Sequence, residues 1–353
     1  MTESQGGSAN TIKPLRVVAI GGGTGLSTLL KGLKRYVVDP FDPAPRNGPA
    51  ISSLSAIVTV TDDGGSSGRL RKELNILPPG DVRNCIVALS EDEQLLSTLF
   101  QHRFRSDSAL NGHNFGNLFV AALTSITGDF AEAVRLASEI LATRGHIYPA
   151  TTANVELEAV LADGARVRGE TAISQARQKI VRLELSPADA QPLAQAVAAL
   201  KEADLITVGP GSLYTSLIPN LLVGGLVEAI AASRALKVLV CNLMTQANES
   251  LGMTASEHIE AIYRHAGRPI FDLALVNDTP PSPALLERYR EEGAASLEVD
   301  AERIRGLGIE LIGGSYLSEY NDIARHATAA VARDLLQLGR GRALAAAEVP
   351  VAA

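Results

Sequence analysis

The chain has 353 residues, of which 46% are hydrophobic and 20% charged, and these apolar side chains suffice for a large buried core. Its formal net charge of -7 argues against general attraction to nucleic acid or to an anionic membrane surface. The two cysteines, Cys85 and Cys241, stand far apart without a metal-ligand spacing, which argues against a disulfide framework and a structural zinc site.

The two ends of the chain differ in composition from the part between them. The N-terminus has neither the basic start nor the apolar stretch of a secretory signal, and no segment approaches about 20 uninterrupted apolar residues. These features predict a cytoplasmic protein without membrane insertion. Residues 1–12 and 341–353 are expected to be flexible tails, and the proline-rich residues 39–50 an exposed loop. Residues 13–340 are expected to form a single domain.

Strand and helix patterns alternate along most of this domain. A β-branched run at 16–20 precedes a glycine cluster and a helical stretch, and a second run at 54–60 completes a βαβ pattern. Short apolar runs at 203–208, 237–242 and 271–276 are separated by helical segments, which is typical of a parallel sheet covered on both faces. The sequence therefore predicts an α/β fold with a Rossmann-like, doubly wound, mostly parallel sheet.

Two segments depart from this alternation. Residues 81–142 have the pattern of several successive helices and predict a helical insertion. In the following region, about 146–185, residues 154–172 alternate between apolar and polar side chains across an Asp163-Gly164 turn. This pattern predicts an antiparallel hairpin appended to the main sheet.

Two glycine-rich loops, GGGTGLST (21–28) and GPGSLYTS (209–216), follow predicted strands. Ligands of open α/β sheets collect at such strand ends, where helix N-termini offer free amides to anions. A tight turn is the alternative for each loop, and Thr28, where a dinucleotide fingerprint needs glycine or alanine, argues against a nicotinamide-dependent oxidoreductase. We expect Ser212 to cap the next helix. The candidate ligand-binding residues of the two loops are Gly22, Gly23, Thr24, Gly25, Gly209, Gly211 and Ser212.

The run TVTDDGGSSGR (59–69) places Asp62 and Asp63 at the end of the second predicted strand. Three interpretations stay open: the carboxylates read a ribose, they hold Mg²⁺ against a phosphate, or Asp62 caps a turn. Positive charge follows the run, and we expect Arg71 and Lys72 on a solvated helix face. The candidate ligand-binding residues of this run are Asp62, Asp63, Gly64, Gly65, Ser66, Ser67 and Arg69.

Three further stretches carry more polar groups than packing requires. Asp81 stands where a helix would be capped, with Arg83 and Asn84 in its first turn. His113, Asn114 and Asn117 fall at helical spacing and are expected on one side of a helix, where we favour hydrogen bonding for His113 over a general-base role. The donors and acceptors after the 237–242 run suit a base or an amide, and they are Asn242, Thr245 and Gln246.

The separated motifs GGGTGLSTLLKGLK, TVTDDGGSSGRLRKEL, PPGDVRNCIVALS, GHNFGNL, GPGSLYTSLIPNLLV and CNLMTQ occur in this order. Together they closely resemble the YvcK family, known as gluconeogenesis factors, over about residues 15–335. The wider relatives are the CofD-type 2-phospho-L-lactate transferases of coenzyme F420 synthesis, which share the first glycine loop and the aspartate-glycine run.

The resemblance implies a protein that binds UDP-N-acetylglucosamine without turning it over and that supports cell shape and wall synthesis during gluconeogenic growth. It ties Tyr289 and Arg325 to nucleotide-sugar binding, although the residue pattern alone assigns Tyr289 to packing. No cofactor is required on this interpretation. The alternative is a CofD-type transferase with Mg²⁺, for which Asp62 is the candidate ligand. Protein partners in wall synthesis and self-association stay open.

Each part of a UDP-sugar has a candidate partner in the chain. The diphosphate suits loop amides and Arg325, the ribose an aspartate, and the uracil and acetamido groups side-chain amides and neutral donors. No nucleophile paired with a base is apparent, so no catalytic residue is assigned. We therefore expect the segments near residues 22, 62, 210 and 325 to converge on one crevice.

Overall fold

Strands and helices alternate along the chain in the computed structural model, which describes residues 13–38, 50–91, 93–105, 107–176 and 178–347. The predicted N-terminal tail, nearly all of the proline-rich loop and residues 348–353 lie outside this part of the chain. The twelve strands of the described residues are β1 Leu15–Gly21, β2 Ile51–Val58, β3 His146–Pro149, β4 Glu156–Leu161, β5 Arg166–Arg168, β6 Ile180–Ser186, β7 Leu205–Val208, β8 Leu236–Val240, β9 Leu273–Asn277, β10 Glu310–Gly314, β11 Leu317–Tyr320 and β12 Ile323–His326.

The described residues also form fourteen α-helices. Among them, no single helix is long and apolar enough to cross a membrane, whereas one pair bent by 76°, Leu213–Leu221 with Leu226–Ala232, reaches that length and composition together. The helices are α1 Gly23–Leu33, α2 Gly65–Leu74, α3 Gly80–Leu89, α4 Glu93–Gln101, α5 Phe115–Thr127, α6 Phe130–Ile140, α7 Glu170–Gln175, α8 Ala194–Glu202, α9 Ile218–Leu221, α10 Leu226–Ala232, α11 Ala255–Ala266, α12 Pro283–Glu291, α13 Ala301–Gly306 and α14 Thr328–Ala347.

The central sheet has seven parallel strands in the order β10-β9-β8-β7-β1-β2-β3. From the middle of the sheet the chain proceeds one way through β1, β2 and β3 and the other way through β7 to β10, so the sheet is doubly wound, as predicted. Six of the seven residues of β1 are buried, because helices cover both faces of the sheet. The point where the direction reverses lies between β1 and β7.

The predicted hairpin is present, but it belongs to a separate three-stranded antiparallel sheet with the order β5-β4-β6. Its turn follows from local chemistry, since Asp163 Oδ1 accepts a hydrogen bond of 2.9 Å from the Ala165 amide and Gly164 has a φ of +86°. The start of the predicted hairpin region was wrongly placed, because His146–Pro149 forms the parallel edge strand of the central sheet. This strand could not be recognised in the sequence, because four residues are too few to show the alternating pattern of a strand.

Helices α3 to α6 form the predicted helical insertion, which packs beside β2 and β3. Helix α1 packs against α3 and α14, and its contact with α14 is close, because a Cβ atom at Gly32 would lie 2.6 Å from the carbonyl oxygen of Thr328. Helix α14 continues to Ala347, although a flexible tail was predicted from residue 341 onward. Alanine, leucine and arginine, which predominate there, are strong helix formers.

Candidate functional site

The two predicted glycine loops lie side by side at the reversal point of the sheet, one after β1 and one after β7. They touch through their backbones, since a Cβ atom at Gly25 would lie 2.3 Å from the carbonyl oxygen of Pro210 and 3.0 Å from Gly211 Cα. Gly23 has a φ of +60°, a conformation that favours glycine. Helix α1 begins at Gly23, and the other amides of its first turn have no partner within the helix and lie beside the crevice, whereas the Gly23 amide is bonded to Asp81.

A cavity of about 650 Å³ occupies this crevice. Its walls come from the two glycine loops, from residues 242–249 after β8, from α7 of the inserted sheet and from residues 323–326 of β12. Of the four segments predicted to converge, those near residues 22, 210 and 325 line this cavity, whereas the segment near residue 62 does not. The predicted site residues that line the cavity are Gly22, Gly23, Thr24, Gly25, Gly211, Ser212, Asn242, Thr245, Tyr289 and Arg325.

The aspartate-glycine run lies beside this cavity and does not line it. Asp62 Oδ1 accepts a 2.9 Å hydrogen bond from the Gly64 amide, which is the turn-capping role left open above. Asp63 Oδ1 accepts hydrogen bonds from the Thr171 amide at 2.8 Å and from Thr171 Oγ1 at 2.5 Å. Asp63 therefore joins the second strand to the inserted sheet, and Gly65, with a φ of +46°, opens α2.

The serines of this run bond to the segment at the start of α5. Ser66 Oγ lies 3.1 Å from His113 Nδ1, and Asn117 Nδ2 donates to Ser67 Oγ at 3.2 Å. The expectation that His113, Asn114 and Asn117 share one helix face was wrong, because α5 begins only at Phe115 and Asn114 caps it by accepting from the Asn117 amide. These side chains hold α2 against α5.

Three other predicted residues have structural partners. Arg69 donates to the carbonyl oxygens of Ala109 and Asn111 at 2.7 Å each, and so fixes the loop before α5. A Cβ atom at Gly209 would lie 2.8 Å from the carbonyl oxygen of Val240. Close backbone packing therefore explains why this position is glycine, and a ligand contact is not needed to explain it. Arg71, expected on a solvated face, is buried and donates to the Val155 carbonyl oxygen at 2.6 Å.

Two partly buried carboxyl groups lie near the first glycine loop, Asp81 beside Gly22 and Glu170 on the cavity wall. Burial, and secondarily the charge of Asp62, raises the pKa of Asp81 to about 6 and that of Glu170 to about 9. A hydrogen bond from the Gly23 amide opposes the shift at Asp81. Asp81 lies inside α3, which Pro79 precedes, so its predicted capping role was wrong. Asp81 thus places a carboxyl group next to the amide that opens α1.

These carboxyl groups have the donor chemistry of a Mg²⁺ site, since hard oxygen ligands suit this ion. Among the described residues, no cluster of three or more His, Cys, Asp or Glu side chains has a geometry that could hold a metal ion. Mg²⁺ is commonly bound by one or two carboxylates together with ligand phosphates, and such a site needs no larger cluster. Asp62 and Asp81 are the residues that would take this part.

Neutral hydrogen-bonding groups line the opposite wall of the cavity. Asn242 Oδ1 accepts from the Gly211 amide at 3.4 Å and so holds the second glycine loop. Gln246 Nε2 donates to Ser212 Oγ at 2.9 Å, while the buried Gln246 Oε1 lacks a hydrogen-bond partner in the structure. Ser212 makes no side-chain cap, contrary to the prediction, because its hydroxyl is used by Gln246. Thr245 Oγ1 bonds to Ala295.

The β11–β12 hairpin presents a fixed imidazole to the cavity. His326 Nε2 lies 3.0 Å from the carbonyl oxygen of Cys241, which can only accept, so Nε2 carries the proton. Burial lowers the pKa of His326 to about 4, and the ring is therefore neutral with Nδ1 as an acceptor. Tyr289 accepts a 3.1 Å hydrogen bond from the Ala324 amide at its hydroxyl and holds this strand beside Arg325.

Several lining residues could not be predicted from the sequence pattern. Glu170 and Ser174 come from the inserted sheet, and Glu249 accepts from the Tyr214 amide at 3.1 Å and from Thr215 Oγ1 at 2.9 Å. His326 follows Arg325 directly, and this adjacency was the one local signal for it. The others reach the site through contacts between distant parts of the chain, which a local pattern does not reveal.

The sheet order and the two touching glycine loops define a Rossmann-like protein with an anion-binding crevice at the reversal point. The family model described as 2-phospho-L-lactate transferase CofD matches residues 17–317. The gluconeogenesis factor of Halalkalibacterium halodurans is 47% identical over 326 residues, covering 92% of this chain and 97% of the relative. That of Bacillus subtilis is 45% identical over 323 residues, covering 92% and 98%.

The solved structures give the same result. A crystal structure of a Bacillus halodurans protein matches with a TM-score of 0.86 and 48% identity, covering 92% of this chain and all of that one. A second crystal structure, described as a member of the UPF0052 family, matches with a TM-score of 0.85. The chain therefore belongs to the CofD family and, within it, to the YvcK or UPF0052 group, whose curated relatives include the gluconeogenesis factors named above.

Proposed function

We propose that this protein binds UDP-N-acetylglucosamine in the cavity between the glycine loops and releases it unchanged. The observation that carries the proposal is the backbone contact of two glycine loops at the reversal point, with Arg325 on the facing wall. Free amides at the start of α1 and a guanidinium suit a diphosphate. A volume of about 650 Å³ lies within the usual range for small-molecule sites, roughly 300–1,000 Å³.

The neutral wall suits the remaining parts of such a ligand. The acceptors Gln246 Oε1 and His326 Nδ1 match N–H donors, which the uracil and the acetamido group both carry. Asn242 and Thr245 place further polar atoms between the loops and this wall. In this proposal the ligand-bound protein acts in the cytoplasm on protein partners of cell-wall synthesis, and so supports cell shape during gluconeogenic growth.

Replacing Arg325 with alanine tests the proposed diphosphate contact. Since a hydrogen bond to a charged group contributes about 1.5–3 kcal/mol, we expect Arg325→Ala to weaken UDP-N-acetylglucosamine binding about 10- to 100-fold in a calorimetric titration. Binding of uridine, which lacks the diphosphate, should weaken much less in this variant. Arg234→Ala is the matched control, because Arg234 is exposed and does not line the cavity. Equal losses in the two variants, or no binding by the parent protein, would contradict the proposal.

A CofD-type transferase with Mg²⁺ is the second candidate function, and the carboxyl groups beside the first loop favour it. When bound, Mg²⁺ would neutralise phosphate charge, with Asp62 and Asp81 as its protein ligands. Mass analysis of UDP-N-acetylglucosamine after long incubation with protein and Mg²⁺ separates the two candidates. Intact ligand supports binding alone, whereas a product whose formation slows in Asp62→Asn supports the transferase.

Asp81 gives the binding a predicted pH dependence. Because the pKa of Asp81 is about 6, its carboxylate is ionised at pH 7 and protonated at pH 5, and the ionised form repels a diphosphate at the neighbouring amides. In the absence of Mg²⁺, we therefore expect UDP-N-acetylglucosamine to bind more tightly at pH 5 than at pH 7. Asp81→Asn should bind equally at both values. Tighter binding at pH 7, or the same pH dependence in Asp81→Asn as in the parent protein, would show that Asp81 does not act in this way.

A further inference from the structure

A second concave surface, which we call the basic groove, runs along helix α1 next to the cavity and has a volume of about 650 Å³. Thr24, Thr28 and Lys31 line it from α1, at positions one and two turns apart on the same helix face. Arg325 and His326 belong to the walls of both the groove and the cavity. The two spaces are therefore neighbours, separated by the first turn of α1.

Positive charge is concentrated in the basic groove although the whole chain is acidic, with a formal net charge of -7. Its four cationic lining residues are Lys31, Arg83, Arg103 and Arg325, and no described Asp or Glu lines it. The four residues come from α1, from α3, from the segment after α4 and from β12, so folding assembles them from separate parts of the chain. Such a group attracts an anion that would neutralise it.

Arg83 shows that this charge is not fully satisfied by other described residues. Its guanidinium donates to Asn84 Oδ1 at 2.7 Å and to the Phe100 carbonyl oxygen at 3.4 Å, and its buried Nε has no hydrogen-bond partner in the structure. Burial lowers the pKa of Arg83, and the charge of Arg103 lowers it further, against weaker opposite effects of Asp81 and Asp62. An unpartnered donor beside a second arginine suits an oxyanion.

The other lining groups indicate what the anion is attached to. Apart from Val87, Tyr320 and the cations, the groove is lined by hydroxyl, amide and imidazole side chains, including Ser27, Asn84, Gln101 and Ser318. Such side chains hydrogen-bond to the hydroxyl groups of a sugar or polyol. From this combination we infer that the basic groove binds a small phosphorylated sugar or polyol, with its phosphate on Lys31, Arg83 and Arg103, at a place that adjoins the cavity.

The experiment uses the full chain, with glucose 6-phosphate and inorganic phosphate as probes in separate calorimetric titrations. Lys31→Met removes one charge of the groove and keeps the length of the side chain. We expect it to weaken binding of glucose 6-phosphate about tenfold, the lower effect of losing a hydrogen bond to a charged group. Lys72→Met is the matched control, because Lys72 is exposed on α2 and does not line the groove. It should bind as the parent protein does.

Several results would overturn the inference. The first is that neither probe binds, and the second is that the two lysine variants lose binding equally. The third is that saturation with UDP-N-acetylglucosamine abolishes sugar-phosphate binding while Lys31→Met has no effect on it. A glutamate-rich peptide that binds through Lys31 when glucose 6-phosphate does not would show a protein-binding surface instead. The inference does not rest on the proposed function, since Lys31-dependent binding of glucose 6-phosphate can be found whether or not the nucleotide sugar binds.

Discussion

Gly25→Ala is expected to abolish binding of UDP-N-acetylglucosamine and to lower the free energy of unfolding by about 1–3 kcal/mol. The added Cβ atom would lie 2.3 Å from the Pro210 carbonyl oxygen and 2.7 Å from the Pro210 carbonyl carbon. Both belong to backbone, which does not rotate away as a side chain would. The two loops must therefore separate, and the crevice between them loses its shape. Titration calorimetry and urea denaturation measure the two effects.

Gly341→Ala is the matched control for this substitution. Gly341 lies in the interior of α14, and a Cβ atom there would meet nothing within 4 Å. Alanine should raise the stability by about 0.5–1 kcal/mol, because glycine loses more conformational freedom in a helix. If Gly25→Ala kept the binding of the parent protein, the contact between the glycine loops would not determine the site.

Glu170→Gln is expected to stabilise the folded protein at neutral pH by up to about 3 kcal/mol. The pKa of Glu170 is raised from 4.5 to about 9, first by burial and then by the charges of Asp62 and Asp81. Between these two pH values the folded state holds a proton that the unfolded state has lost. The stability contributed by this residue therefore falls as the pH rises from about 4.5 to about 9. Glutamine is neutral throughout and removes this dependence.

Urea denaturation at pH 5 and pH 8 checks this prediction. The stability difference between Glu170→Gln and the parent protein should be small at pH 5 and large at pH 8. Glu310→Gln, which alters an exposed acid on β10, should leave the stability nearly unchanged at both values. A destabilised Glu170→Gln at pH 8 would mean that the carboxylate is ionised and has a partner there, such as a bound cation.

The central sheet could be predicted because its inner strands are nearly continuous apolar runs. The runs at 16–20 and 203–208 correspond to β1 and β7, which are buried and adjacent. The edge strand β3 has four residues, and β10 reads ELIGG, so neither shows a clear strand pattern. Such short strands form because the neighbouring strand offers hydrogen bonds, and this information lies outside the segment itself.

The glycine loops of the site could be predicted for a similar reason, because the residues that determine their chemistry are adjacent in the sequence. The aspartate-glycine run was harder to interpret, because small polar residues serve a ligand and a tightly packed backbone equally well. Ser66 and Ser67 bond to His113 and Asn117, which stand about fifty positions later in the chain. The pKa of Glu170 is raised first by burial and then by the charges of Asp62 and Asp81, again through distant packing. Long-range contacts of this kind decide between equally reasonable local interpretations.

The three-stranded sheet of β4, β5 and β6 enters the chain between β3 and β7 and carries Glu170 to the site, while the central sheet supplies the glycine loops. The site thus combines backbone groups from the central sheet with side chains from an inserted unit, and these two parts come from separate segments of the chain. Substitutions in the inserted unit can therefore alter one wall of the cavity without any alteration of the strands that position the loops. The same division offers protein engineers a part of the cavity wall that is separate in the chain from the central sheet.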